Sequence, residues 1–306
     1  MMRITYADDL VEAAVLLAER TAPVAMTRAF RHARNRLYQD ADVDRRESAF
    51  RALHREWFVK LGLQKPIEEA VAERSDLAER ISHCRVLQAF RRQDEGADLF
   101  DRVAVRNADS QPLLVIRIRP ALLLDRQSLS GFLRHELMHV CDMLNPRFGY
   151  RRTLPLSDDG PSADNIVRDR YRTLWDVTID GRLAREGFGC TQIRLQRARE
   201  FATAFGMLGS ETEKIFDEWC DRVDPTHDQL VSFVMHPPLA RDSGRTGRCP
   251  LCRFPVASLD LAPDRLSSEA RLHIERDYPG WHVADGLCSQ CLDLYEAHHV
   301  SHDYAS

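Results

Sequence analysis

The chain has 306 residues, of which 44% are hydrophobic and 29% charged, and its formal net charge at pH 7 is -4. This composition is that of a globular protein with a buried core, and the length is enough for about two domains. The small net charge excludes general attraction to a polyanion. No apolar run approaches the roughly 20 residues needed to cross a bilayer, so we expect a cytoplasmic protein with no membrane partner.

The first 97 residues predict an N-terminal helical region. Apolar positions recur with the 3.6-residue period of a helix, and acidic residues open the first segment, where the helix dipole favours them. Pro66 is placed to begin a further helix over 66–93, since the first position of a helix needs no N–H.

The hydrophobic pattern then changes to the alternation of strands, in a core region predicted over 98–235. Segments 99–107 and 112–120 are β-branched and separated by a turn-like stretch, which predicts an antiparallel hairpin. A helix follows, capped by Ser128 or Ser130, and ends before Pro146. Residues 151–168 have the composition of a loop, and a helix then runs from 170 with Gly187 just past its end.

The helix after the hairpin carries the sequence HELMH. His135 and His139 are four residues apart, so a helix places both imidazoles on one face, where they can bind one zinc ion. Glu136 lies beside them without occupying the metal, which suits a general base acting on water bound to zinc. The motif therefore predicts a catalytic zinc site.

With this motif in place, the chain resembles the zincin metallopeptidases over roughly residues 99–187. In that family the HExxH helix lies beneath an edge strand that pairs with the substrate backbone. The resemblance implies an α+β, mostly helical fold with a zincin-like core and a small antiparallel sheet. It also implies that 112–119 supplies the edge strand.

A catalytic zinc normally takes a third protein ligand. Asp176 and Asp180 lie four residues apart on the helix predicted from residue 170. In thermolysin-like zincins the glutamate ligand and the aspartate that orients the first histidine have the same spacing. That resemblance implies Asp176 as ligand and Asp180 as its neighbour, although this sequence has Asp where those enzymes have Glu. The reverse assignment stays open, as does Asp142, although the glycine that metzincins use after this position is missing.

The chain ends in a predicted zinc module over 249–306. Cys249 and Cys252 form one CxxC pair and Cys288 and Cys291 another, and four thiolates complete a closed tetrahedral site. We therefore expect two zinc ions, one catalytic and one structural. The segment 236–248 before the module has the composition of a linker.

Basic residues flank the first CxxC pair. They are Arg241, Arg245, Arg248 and Arg253, a cluster that predicts weak contact with nucleic acid. SprT-like proteases also join HExxH to a C-terminal zinc ribbon and act near DNA, and the chain resembles them in domain order only, since the histidine that is typically their third ligand has no match here. Tyr150, Tyr171 and His236 are candidates to stabilise an oxyanion.

Two functions are consistent with these motifs. The first is a zinc-dependent metallopeptidase that hydrolyses a peptide or protein substrate, with Glu136 as general base. The alternative is a non-catalytic regulatory or nucleic-acid-associated protein that uses the zincin fold as a scaffold. The acid at Glu136 favours the enzyme, because a scaffold has no need of a base beside the metal.

Overall fold

A computed structural model describes residues 2–100, 112–155, 161–238, 247–256, 259–260 and 266–302. The chain falls into two units, Met1–Asn145 and Pro146–Ser306. The described residues are mostly helical, with one sheet of four strands and one two-stranded pair. No helix among them is both long enough and apolar enough to span a membrane.

The first unit is built from six helices and four strands within the described residues. In chain order they are β1 (Arg3–Tyr6), α1 (Asp8–Glu19), α2 (Val24–Leu37), α3 (Val43–Lys60), α4 (Lys65–Ala72), α5 (Ser75–Arg80), β2 (His83–Gln88), β3 (Gly96–Phe100), β4 (Leu113–Ile118) and α6 (Arg126–Leu144). The predicted mostly helical α+β class is thus confirmed.

The sheet is mixed, in the order β1-β2-β4-β3. Strands β1, β2 and β4 are parallel, and β3 pairs antiparallel with β4 so that Leu99 faces Leu114. The predicted hairpin pairing is confirmed for the described part, while the prediction of a wholly antiparallel sheet was wrong. The remainder of its first strand and the turn, 101–111, lie outside the described residues.

The N-terminal region is not helical throughout. In place of the helix predicted over 66–93 the structure has two short helices, α4 and α5, the second of which ends at Arg80. The chain then enters β2, where Cys84 and Val86 are fully buried. Alternate burial of this kind is the period of a strand. Pairing of β2 with β1 on one side and β4 on the other therefore determines its conformation, although the sequence before it has the period of a helix.

Helix α6 presents one face to the core of the first unit. Leu129, Leu133, Leu137 and Val140 are all fully buried, at the spacing of one helical face. The helix begins after Asp125, whose carboxylate accepts hydrogen bonds from the Ser128 N–H at 3.0 Å and hydroxyl at 2.7 Å. The predicted serine cap was therefore wrong, because Ser128 is the donor to the cap.

The second unit contains the remaining six helices and two short strands of the described chain. They are α7 (Pro161–Arg185), α8 (Thr191–Ala204), α9 (Thr212–Cys220), α10 (His227–Met235), β5 (Gly247–Arg248), β6 (Pro255–Val256), α11 (Ser268–Asp277) and α12 (Ser289–His302). Helix α7 begins at Pro161, inside the segment 151–168 that was predicted to be a loop. Gly187, at φ +90°, lies just past its end as predicted.

Candidate metal centres

His135 and His139 lie on the face of α6 away from its buried leucines. Their ring centroids are 5.0 Å apart, with the ring planes at 72°. Two imidazoles that share a tetrahedral zinc at Zn–N distances near 2 Å have ring centres about 5 Å apart. The spacing of this pair therefore fits shared binding of one metal ion.

Glu136 is held in place by the neighbouring strand. Its Oε2 accepts a hydrogen bond from the main-chain N–H of Ala97, on β3, at 3.0 Å. Because that N–H points toward α6, it is not used in the pairing with β4. The carboxylate of HELMH is thus joined to the side of β3 that faces away from the rest of the sheet.

Strand β3, and not the predicted segment 112–119, forms the edge of the sheet next to α6, while β1 forms the opposite edge. Strand β4 lies between β2 and β3, so both of its sides are paired. Among the described residues no strand pairs with the outer side of β3. The edge-strand prediction was therefore wrong in its residues, although the strand pair that contains the edge was identified.

Asp176 and Asp180 lie one turn apart on α7 and face Arg197 of α8. The Arg197 Nε to Asp180 Oδ2 distance is 2.6 Å, and its Nη1 lies 3.6 Å from Asp176 Oδ2. Burial alone would lower the pKa of Arg197, but the charges of the two aspartates outweigh it and raise the pKa. Asp180 is thus committed to a short ion pair, and Asp176 is held less tightly by the same guanidinium.

The alternative ligand Asp142 is buried on α6 at 3% exposure. Within the first unit's described residues it does not join His135 and His139 in a group of candidate ligand atoms within reach of one another. The structure thus gives no support to Asp142 as a ligand. Sequence reasoning missed Ala97 and Arg197, since a main-chain donor and an arginine 17 residues after Asp180 leave no motif.

The four cysteines of the C-terminal module form a buried group that can hold a metal ion, here called the four-cysteine group. The Sγ atoms of Cys249 and Cys291 are 3.8 Å apart, and so are those of Cys252 and Cys288. Four sulfurs at 2.3 Å from a tetrahedral zinc lie about 3.8 Å from one another. The residues present therefore fit the predicted structural zinc.

The turns around the cysteines have the geometry of metal-binding knuckles. The N–H of Arg253 donates to the Cys249 carbonyl at 2.9 Å, and Arg253 has a left-handed φ of 60°. The N–H groups of Cys288 and Cys291 approach the Sγ atoms of Cys249 and Cys288 at 3.4 Å. Such donors stabilise charge on the sulfurs that accept them.

The other predicted residues are only partly described. Arg248 donates from Nη1 to the carbonyl of Arg253, while Arg241 and Arg245 lie outside the described residues. The Tyr171 hydroxyl is hydrogen-bonded to Nδ1 of His227 at 2.7 Å. His227 is buried, and the sequence analysis did not single it out. His236 follows α10 as its C-terminal cap.

Comparison of the chain with protein-family models, curated proteins and solved structures finds no match. The zincin resemblance and the choice of third ligand consequently stay predictions of the sequence. The local findings are a histidine pair spaced for one metal, an acid bonded to the edge strand, and a four-cysteine group of tetrahedral spacing.

Proposed function

We propose that the chain is a zinc-dependent metallopeptidase whose catalytic zinc binds His135 and His139 and whose general base is Glu136. The observation that carries the proposal is the hydrogen bond from the Ala97 N–H to Glu136 Oε2. It joins the acid of the motif to an edge strand, which is the element that an extended peptide can extend by β-pairing. Metal-binding pair, acid and edge strand thus belong to one unit.

The proposal gives each group a role. A zinc ion in such a site polarises a carbonyl and lowers the pKa of water to about 7. Glu136 takes the proton of the attacking water and returns it to the leaving amine, because its carboxylate is held beside the histidine face of α6. The peptide substrate pairs as an extra strand with the outer side of β3. The main-chain groups of the peptide then lie along the edge to which Glu136 is hydrogen-bonded.

We propose Asp176 as the third ligand, as the sequence resemblance implies. The contacts of α7 support this choice over Asp180, because Asp180 is the acid that makes the 2.6 Å contact with Arg197. A charge-assisted contact of that length keeps a carboxylate committed to the arginine. Arg197 would then orient the helix face that carries both acids.

Glu136→Gln tests the catalytic role. We expect the variant to keep its zinc and its fold but to hydrolyse peptides about 100- to 10,000-fold more slowly, the usual contribution of a general base. Glu69→Gln is the matched control, because it removes an exposed carboxylate that pairs with Arg126 in the same unit. Cleavage of short peptides of randomised sequence, followed by mass spectrometry, measures the rate and locates the bond.

Two results would count against the enzyme. If Glu136→Gln cleaves the peptides as fast as Glu69→Gln, the base assignment is wrong. If the zinc-loaded parent cleaves neither these peptides nor unfolded proteins, the non-catalytic scaffold is favoured. Salt-dependent DNA binding that Arg248→Ala weakens would then support the nucleic-acid-associated alternative.

A further inference from the structure

Arg170 of α7 is a buried cation that the proposed chemistry does not use. The residue is 1% exposed, and among the described residues its Nη1 has no hydrogen-bond partner. Its Nε donates to the Ala204 carbonyl at 2.9 Å, and its Nη2 donates to Oε1 of Gln290 at 2.9 Å. A buried guanidinium with only neutral acceptors is costly, so a nearby negative charge is needed to explain it.

The partners of Arg170 place it beside the four-cysteine group. Gln290 stands between Cys288 and Cys291 in the second knuckle. The guanidinium carbon lies 4.3 Å from the ring centre of Phe254, two residues after Cys252 in the first knuckle. The arginine is therefore fixed at both knuckles, by a hydrogen bond at one and a cation–π contact at the other.

The metal-loaded four-cysteine group supplies the negative charge that Arg170 needs nearby. Four thiolates around one Zn²⁺ carry a net charge of about two negative units. Burial lowers the pKa of Arg170 to about 10, and thiolate charge at Cys252, Cys288 and Cys291 opposes that lowering more than the carboxylate of Asp169 does. The groups that favour a charged arginine here are therefore chiefly the metal-binding sulfurs.

We propose that Arg170 is the counter-charge of the metal-loaded four-cysteine group and slows release of its metal. Removing the arginine leaves the thiolate charge uncompensated in a buried site, which weakens metal retention. In the metal-free chain with protonated thiols the same arginine keeps only the weaker charge of Asp169 to compensate it. The proposal thus predicts opposite effects of Arg170 on the loaded and metal-free protein.

The test uses the full chain loaded with Co²⁺, because thiolate-to-cobalt absorption reports the four-cysteine group and not a histidine site. Decay of that absorption after addition of excess EDTA gives the release rate. We expect Arg170→Met to release cobalt at least tenfold faster than the parent, and Arg170→Lys to release it more slowly than Arg170→Met, because lysine keeps the charge although it loses the hydrogen-bond geometry of the guanidinium. Arg168→Met, an exposed arginine on the same helix, is the control and should not change the rate.

A purely structural role for Arg170 predicts a different ranking. Methionine then equals or surpasses lysine, because an apolar side chain of similar volume removes a buried charge at little cost. The proposal is overturned if Arg170→Met releases cobalt within twofold of Arg168→Met, or if Arg170→Lys is as fast as Arg170→Met. Thermal unfolding gives a second readout, since EDTA should destabilise the parent more than Arg170→Met.

Gln290→Ala keeps the test decisive if Arg170→Met does not fold. It removes the amide that aims the guanidinium while leaving Arg170 present. We expect Gln290→Ala to speed cobalt release about threefold when it is made in the parent. Added to Arg170→Lys, it should cause no further change, because coupled residues have non-additive effects. Equal effects in both backgrounds would contradict the proposed link between Gln290 and Arg170.

Discussion

Gly181 of α7 lies so close to Cys220 at the end of α9 that a Cβ on Gly181 would come 1.9 Å from the Cys220 carbonyl oxygen. That carbonyl already accepts a hydrogen bond from Nη1 of Arg185, at 2.9 Å. Neither the helix backbone nor the carbonyl can move without losing a contact. The absence of a side chain at Gly181 therefore permits the two helices to pack.

Gly181→Ala should destabilise the second unit. The methyl group would force α7 and α9 apart, and overpacking of this kind costs about 1–3 kcal/mol. Gly131→Ala is the matched control on α6, where a Cβ meets nothing within 4 Å and should stabilise by about 0.5–1 kcal/mol. Thermal unfolding of both variants against the parent measures the difference. A Gly181→Ala protein as stable as the parent would contradict the close packing.

The zinc content of the purified chain should separate the two centres. We expect about two zinc ions per chain, falling to about one in His139→Ala, because a lone imidazole from the pair binds zinc weakly. His32→Ala removes an exposed histidine and should leave the content at about two. Metal analysis by mass spectrometry gives the ratio. One zinc in the parent that His139→Ala does not change would mean that HELMH binds no zinc.

The two acids of α7 should differ in their effects. Asp176→Asn is expected to lose the zinc that His139→Ala loses, because an amide is a poorer zinc ligand than a carboxylate. Asp180→Asn should keep about two zinc ions but unfold at lower temperature, since it breaks the charge-assisted contact with Arg197. Zinc analysis and thermal unfolding are made on the same samples. Loss of zinc in Asp180→Asn alone would reverse the assignment.

His227 makes stability depend on pH in a defined direction. Burial lowers its pKa, the charge of Arg151 lowers it further, and Asp228 opposes both. The folded state therefore binds fewer protons than the unfolded chain, whose histidine titrates near pH 6.5. This contribution is complete above about pH 6.5 and is lost as the pH falls through the folded pKa.

His227→Gln removes that titration while keeping a polar side chain beside Tyr171. The melting temperature of the parent should therefore fall more between pH 7.5 and pH 5 than that of the variant, by a few degrees. Thermal unfolding at matched ionic strength measures both slopes. Parallel slopes would show that His227 does not take up a proton in this range.

The parts of the fold that the sequence predicted are those with strong local signals. Helix α6 was predicted from the residues that bound it, a polar cap and Pro146, and the four-cysteine group from the spacing of its CxxC pairs. The capping residue was missed because Asp125, Ser128 and Ser130 all lie near the helix start and each can cap. The start of α7 at Pro161 was missed because its first turn has the polar composition of a loop.

The order of the strands depends on contacts that no local pattern contains, yet one clue was present. Strand β4 reads LLVIRI and is nearly continuous in apolar residues, which is typical of a strand with neighbours on both sides. Strand β3 reads GADLF, with the Gly and Asp that strands disfavour. These compositions favour β3 as the edge. Arg170 left no such trace, because only the tertiary structure brings it to the cysteines.

The first turns of α7 bear on where the chain can be shortened. Ala163 and Ile166 are buried in the same core as the four cysteines, and Ser162 donates hydrogen bonds to the hydroxyls of Tyr278 and Tyr295. A fragment ending at residue 238 would uncover these apolar groups on the helix that carries Asp176. The cysteine module is therefore part of the minimal fragment in which α7 keeps its native surroundings, and not a detachable appendage.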